Sequence, residues 1–166
     1  AAVGGDAAGS GDDYKDTVDG WLKKAGQQLD ESDFDESDIE DVLDSMLLAV
    51  DDKYLRNLDN WRFYVTWAQA NAYRDKLRAR ETALGDTAQT EANPLRFKGI
   101  RLRVVPLMPA SRLLLTEVNN TVWGIRRDIE IEPERRADAD RWDFHVRVKA
   151  DVQYEDENAA VAADNT

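Results

Sequence analysis

The spacing of apolar positions divides the chain into a helical first part and a strand-rich second part. From residue 13, Tyr14, Val18, Trp21, Leu22, Ala25 and Leu29 recur at helical intervals and predict an amphipathic helix. The stretch DESDFDESD at residues 30–38 interrupts it with carboxylates. It ends in a capping box, Ser37 with Glu40, in which each side chain can satisfy the other's free backbone amide. A second helix is expected from there, with Ile39, Val42, Leu43, Met46, Leu47 and Val50 on one face. RFYVT at residues 62–66 has strand composition, and Trp67, Ala70, Tyr73 and Leu77 mark a further helix to about Arg80. A polar loop with Gly85 and Pro94 follows.

LRFKGIRLRVVPLMP, residues 95–109, reads as a strand with a glycine bulge at Gly99. The one-residue slip there places Phe97, Ile100, Leu102 and Val104 on one face, and Pro106 and Pro109 end the strand. The clearest signal lies further on. Trp142, Phe144, Val146, Val148, Ala150, Val152 and Tyr154 occupy every even position, while the odd positions are polar or charged. At ~3.3 Å per residue such a strand reaches roughly 45 Å, where ~17–20 Å is usual. Ile129 and Ile131 in DIEIE alternate likewise, and the charged PERRADAD between the two runs reads as a hairpin connection. A two-stranded ribbon of this length is not stable alone and is expected to lie against a helix or a neighbouring chain. Residues 1–11, small and glycine-rich, predict a flexible lead-in, and residues 156–166 a loose acidic tail.

Charge sharpens this division. The 166 residues carry 34 Asp and Glu against 22 Lys and Arg, a net −12. Residues 1–60 hold 17 acids and 5 bases, whereas residues 61–155 hold 14 acids and 17 bases. So acidic a surface repels phosphate backbones and anionic headgroups, so direct nucleic-acid and membrane binding are not expected. The repulsion among the carboxylates themselves is screened over about 8 Å at physiological salt and about 3 Å at 1 M, which suits a halophilic source; an ordinary acidic domain is the plainer reading. No stretch approaches the ~20 apolar residues of a membrane span. The absence of cysteine excludes disulfides, thiolate metal sites and Cys nucleophiles. The opening AAVGG, without Met or a signal-type apolar region, reads as an interior piece or a processed product.

Candidate chemistry is sparse. His145, the single histidine, falls on the polar side of the predicted ribbon and reads as a surface imidazole. Asp33, Asp35 and Asp38 resemble a calcium loop but lack its turn glycine and its bidentate Glu, so they read as a solvated cluster at a helix start. No phosphate-cradling glycine loop and no nucleophile elbow is present. No catalytic, cofactor or metal residue is therefore assigned. What stands out is LLLTEVNNTVWGIRRDIEIE, residues 113–132, a turn that performs no evident chemistry. Asn119, Asn120 and Thr121 form an Asn-x-Thr triplet in it. Arg126 and Arg127 serve either as strand-edge charge that discourages aggregation or as guanidiniums that pair with carboxylates of a neighbouring copy. Asn119, Asn120, Trp123, Arg126 and Arg127 are the candidate subunit-interface residues.

Taken in order, IEDVLDSMLLAV, RFYVTW, ALGD, LRFKGIRLRVVPLMP, LLLTEVNNTVWGIRRDIEIE and WDFHVRVKADVQYEDENAAV resemble, over residues 39–163, the major capsid proteins of tailed viruses with the Hong Kong 97-type fold. The resemblance implies an α+β fold. Residues 36–126 would form an axial domain with a central sheet flanked by helices. Residues 127–155 would form the long β-hairpin of the peripheral domain, and residues 12–35 a further peripheral piece. No amino-terminal arm, extended loop or complete spine helix precedes residue 13, so the resemblance implies the carboxy-terminal part of a coat protein; with the acidity, it points to a haloarchaeal virus or provirus. It implies a structural, non-enzymatic subunit without cofactor. Such a subunit self-assembles as pentamers and hexamers into an icosahedral shell and encloses double-stranded DNA without sequence-specific contact. Portal or scaffolding proteins would be further partners, membranes would not, and the virion, assembled in host cytoplasm, would be its location. A cellular nanocompartment shell and a monomeric acidic binding or adaptor domain are the alternatives.

Overall fold

A computed structural model describes residues 19–30, 38–79, 95–110 and 112–164, apart from the side chain of Arg127. Along these residues run α1 (Trp21–Lys24), β1 (Gln27–Asp30), α2 (Ile39–Ala49), β2 (Trp61–Val65), α3 (Trp67–Ala79), β3 (Arg96–Phe97), β4 (Ile100–Val104), β5 (Arg112–Glu117), β6 (Thr121–Arg136), β7 (Arg141–Tyr154) and β8 (Ala160–Asp164). Six strands form a mixed sheet in the order β1-β8-β5-β2-β4-β3, and β6 and β7 form a separate antiparallel ribbon.

Alternation decides what each face of the sheet covers. Trp61, Phe63 and Val65 of β2, Leu113 and Leu115 of β5 and Val161 and Ala163 of β8 point to one side, where α2 and α3 bury them in the main core. α2 brings Ile39, Val42, Leu43 and Met46 to this layer, the stripe its spacing predicts. α3 brings Ala70 and Tyr73, and the Tyr73 and Phe63 rings each meet Phe97 edge-on at 6.1 Å between centroids. The residues between these, Leu114, Ala160 and Ala162, face the other way into a smaller cluster with Leu22 and Ala25 from the α1 segment, Met108, and Tyr154 from the foot of the ribbon. α3 begins in a reciprocal capping box that the sequence reading did not identify: the Gln69 amide N–H donates to Thr66 Oγ1 at 3.3 Å, and the Thr66 N–H donates to Gln69 Oε1 at 2.9 Å.

Several expectations change. The first helix does not run to Leu29: α1 ends at Lys24, and Gln27–Asp30 is an edge strand parallel to β8. Gly26 lies between them because a Cβ there would come within 2.5 Å of the Glu157 carbonyl oxygen, to which the Gly26 N–H donates. Residues 27–30 thus belong to the six-stranded sheet. The run at residues 95–109 holds two strands rather than one bulged strand. Lys98 and Gly99, both at positive φ (44° and 90°), form the two-residue turn of a β3–β4 hairpin. Phe97 pairs with Ile100, and Phe97, Ile100, Leu102 and Val104 do reach the same core. Strand β6 continues through Pro133 to Arg136, so the ribbon's connection is only residues 137–140, and the ribbon starts at Thr121 rather than at residue 127. The expected loose tail is the largest correction: Ala160–Asp164 pairs with both β1 and β5, and Ala160, Val161, Ala162 and Ala163 are buried. Residues 1–18, Ser37 of the predicted capping box, Asp33, Asp35 and the loop with Gly85 and Pro94 lie outside the described residues.

Candidate assembly surface

The ribbon is long and amphipathic. Strands of 16 and 14 residues span roughly 45–50 Å at ~3.3 Å per residue. Cross-strand pairs Trp123 with Val152, Ile125 with Ala150, Ile131 with Val146 and Pro133 with Phe144 gather the apolar side chains on one face. Keeping them there requires an even number of slips, because the side-chain period is two. Pairing shifts once between Ile125 and Arg127 and again between Arg127 and Glu130. A single bulge would have turned Ile129 and Ile131 to the polar side; the second restores them. The bulged segment is Arg126-Arg127-Asp128, where the Asp128 carboxylate accepts from the Ile129 N–H at 2.9 Å.

Among the described residues, cover over this face is confined to its foot. Val152 and Tyr154 are buried, Tyr154 against the α1 segment, and four contacts fasten the ribbon there. Lys24 Nζ donates to Asp151 Oδ1 at 3.0 Å and to the Val152 carbonyl at 2.7 Å. The Tyr154 hydroxyl donates to the Trp21 carbonyl at 2.8 Å, and Trp21 Nε1 donates to the Gln153 carbonyl at 3.4 Å. The Lys24 ammonium holds the Asp151 carboxyl below the usual carboxylate range, and burial pushes the Tyr154 phenol well above its ordinary value. These partners lie over 125 positions apart, and no local pattern announces them. Beyond the foot the described residues leave the face bare. Trp123, Ile125, Ile129 and Ile131 on β6 and Trp142, Phe144, Val146 and Val148 on β7 are all more than half exposed.

The opposite face satisfies itself. Arg147 pairs with Glu132 at 3.4 Å, Arg136 and Arg141 each pair with Asp143 at 3.1 Å, and His145 Nε2 lies 3.1 Å from Glu134 Oε2. Among the described residues no group of three or more His, Cys, Asp or Glu is placed to hold a metal ion, and no helix is long and apolar enough to cross a membrane.

The predicted interface residues separate. Asn119 is exposed in the 3-10 turn Val118–Asn120, Trp123 is 53% exposed on the apolar face, and Arg126 is exposed at the bulge without an ion pair among the described residues. Arg127 lies at the bulge, its backbone in register with Lys149. Asn120, in contrast, points inward and is buried. Its Nδ2 donates to the Asp156 carbonyl at 2.8 Å and to Thr116 Oγ1 and the Ala159 carbonyl at 3.3 Å, while its Oδ1 accepts from the Asp156 N–H at 2.8 Å. Asn120 holds the corner where the chain leaves the sheet for the ribbon and returns.

A sheet covered by helices on one face, with a ribbon projecting from its corner, recurs in solved shell structures. A satellite phage P4 procapsid that includes the size determination (Sid) protein superposes with a TM-score of 0.64 over 99% of this chain and 60% of its own, at 16% identity. The fold is the Hong Kong 97-type capsid fold. Mycobacterium phage Che8 matches with a TM-score of 0.62 over 87% of this chain and 55% of its own, at 16% identity. The holo-SrpI encapsulin complex from Synechococcus elongatus PCC 7942 matches at 0.60 over 89% and 56%, at 14% identity. The chain therefore spans between 55% and 60% of the length of these three structures. No protein-family model and no curated protein matches the sequence.

Proposed function

We propose that this chain is the sheet-and-ribbon part of a shell-forming coat subunit, and that the apolar face of the ribbon is its main adhesive surface. The observation that carries the reading is the ribbon itself, an apolar face that begins as core under α1 and continues into solvent. Burying one large apolar side chain fully contributes about 1.5–3 kcal/mol. Eight side chains, each already partly covered, would then contribute on the order of 10 kcal/mol. Association of two proteins costs about 4–15 kcal/mol in lost freedom, so one ribbon contact is marginal and repetition around a closed assembly makes it stable. Pentamers and hexamers of an icosahedral shell supply that repetition. In this reading Trp123, Asn119, Arg126 and Arg127 lie at the contact, the axial domain is the six-stranded sheet, and the peripheral domain carries the ribbon. The protein acts structurally, without catalysis.

The viral form of the proposal has a tailed virus or provirus of a halophilic host enclosing double-stranded DNA, with portal or scaffolding proteins as further partners and the virion as its location. The similarity to the holo-SrpI encapsulin complex favours a second form, a cellular nanocompartment shell. Negative-stain microscopy of the full-length gene product separates both from a monomeric binding domain, and nucleic acid rather than protein inside the particles separates the first from the second. Apolar contacts strengthen in salting-out media while ion pairs are screened. Light scattering is therefore expected to show particles that persist in molar salt and dissociate as salt is lowered; dissociation on raising salt instead would overturn the ribbon's role.

A further inference from the structure

One sheet face carries a basic patch that the ribbon does not use. Arg62 of β2 stands beside Arg101 of β4, Tyr64 beside Arg103, and Arg96 of β3 beside Arg101. Their neighbours Phe63 and Leu102 point to the core under α2 and α3, so the arginines lie on the opposite face of the sheet. Among the described residues, cover on that face comes from α1, Met108 and the foot of the ribbon, which pack with Leu114, Ala160, Ala162, Tyr64 and Val105, and none of that cluster belongs to β3. Arg96, Arg101 and Arg103 are exposed there. Arg96 meets Asp59 at 3.5 Å, while Arg62, Arg101 and Arg103 make no ion pair among the described residues.

In a chain of net −12 this is a departure, and among the described residues only Asp59 balances any of it. The densest acid run is residues 30–41, with eight carboxylates in twelve positions. Of its described members, Asp38 and Asp41 are exposed at the start of α2 and make no ion pair among the described residues. They sit on the helix side of the sheet, and Asp30 ends the strand at the sheet's far edge, about four strand spacings of ~4.8 Å from β4. A copy cannot bring its own α2 acids around the sheet to its own arginine face. A neighbour can, in a contact between two different patches, and such head-to-tail contacts close into rings.

We propose that the face formed by Arg62, Arg96, Arg101 and Arg103 receives the acidic segment around Asp38 and Asp41 of the adjacent copy, and so selects the neighbour that the apolar ribbon only holds. This rests on the shell reading. Guanidinium forks suit carboxylates, and complementary charge acts on partner choice and register more than on raw affinity.

The test is charge reversal in the full-length protein, with folding followed by circular dichroism. Arg101→Glu with Arg103→Glu, and separately Asp38→Lys with Asp41→Lys, are expected to fold yet lose ring-shaped assemblies by microscopy; the four changes together are expected to restore them. A second measurement exploits the cysteine-free sequence. Arg103→Cys with Asp41→Cys in one chain should give a ladder of covalent oligomers with a short bis-maleimide, and neither single change should go beyond a dimer. Assembly unaffected by Arg101→Glu/Arg103→Glu overturns the proposal. So does a folded fourfold variant that stays unassembled, and so does parent binding to duplex DNA that the arginine changes abolish. A full-length parent that never assembles removes the shell reading and this proposal with it, whereas an assembling parent indifferent to the reversals removes the proposal alone.

Discussion

The sheet and the ribbon are written in the same alternating code, and only one of them is covered. Trp61, Phe63 and Val65 of β2 are 1%, 0% and 0% exposed, whereas Trp142, Phe144 and Val146 of β7 are 58%, 65% and 63% exposed. Both strands put large apolar groups at every second position. The difference is that β2 lies inside a six-stranded sheet with helices above it, while β7 has one partner strand and, among the described residues, no layer on its apolar face beyond α1. Periodicity therefore reports that a face needs a partner. It does not report whether the partner is in the same molecule.

The comparison predicts opposite behaviour for two similar substitutions. Phe63→Ala empties a fully buried site beside Phe97 in the main core and is expected to destabilise the subunit by about 3–5 kcal/mol, read as a shift in the denaturation midpoint. Phe144→Ala removes a ring that is mostly in water, and is expected to leave subunit stability within about 0.5 kcal/mol while lowering particle yield in sedimentation. Equal loss of stability in both would mean that the ribbon face is covered within its own chain.

Asn120→Ala comes next in size and probes the junction between the two regions. The substitution leaves the Asp156 N–H and the Asp156 carbonyl without their side-chain partner, while the Ala159 carbonyl keeps the Thr116 hydroxyl, for about 1–3 kcal/mol. Faster amide exchange at Asp156 and at the β8 pairs is expected, with the main core less affected. An unchanged exchange pattern would return Asn120 to the candidates for intersubunit contact.

Much of the architecture was legible in the chain, and the misses share a physical cause. α2 and the even positions of β7 carry long, regular patterns, and both stand where the pattern places them. AVAAD in β8 carries small residues because it lies beside a leucine strand: Leu113 pairs with Ala163, Leu114 with Ala162 and Leu115 with Val161. Dense interiors alternate large with small, and in isolation the small half of such a pair looks like a polar tail. The parallel edge strand β1 was read as helix because Ala25 and Leu29 continue a 3.6-residue spacing; the Glu157 carbonyl that forces the chain to turn at Gly26 is distant in sequence. Of the proposed assembly surface, the ribbon and the place of Trp123 on its exposed apolar face were legible. The inward bonding of Asn120 was not legible, because its partners Asp156 and Ala159 lie in the turn that leads into β8, more than 35 positions away.

The smallest effects concern the foot of the ribbon, where pH separates attachment from folding. Tyr154 has its phenol pKa raised by burial, first, and by Tyr64 beside it. Its stabilising share is fully present below the ordinary tyrosine value of about 10 and declines above it, because the unfolded chain ionises while the folded one resists. The slope is at most ~1.4 kcal/mol per pH unit for this one group. Tyr154→Phe should flatten alkaline unfolding by that share, at the cost of the hydrogen bond to the Trp21 carbonyl. Asp151 has the opposite sign, its pKa lowered by the Lys24 hydrogen bond first and the Val152 amide second. Its contribution is present above about pH 3.9 and is lost as pH falls through the folded value below that. Acid should therefore loosen the clasp between α1 and β7 while leaving the α2–α3 core intact, and amide exchange at residues 151–154 in wild type and Lys24→Met would show it. If acid left those amides as protected as the core, the foot would be held by Tyr154 packing alone, and the ribbon would be fixed to the sheet as rigidly as β5 is to β8.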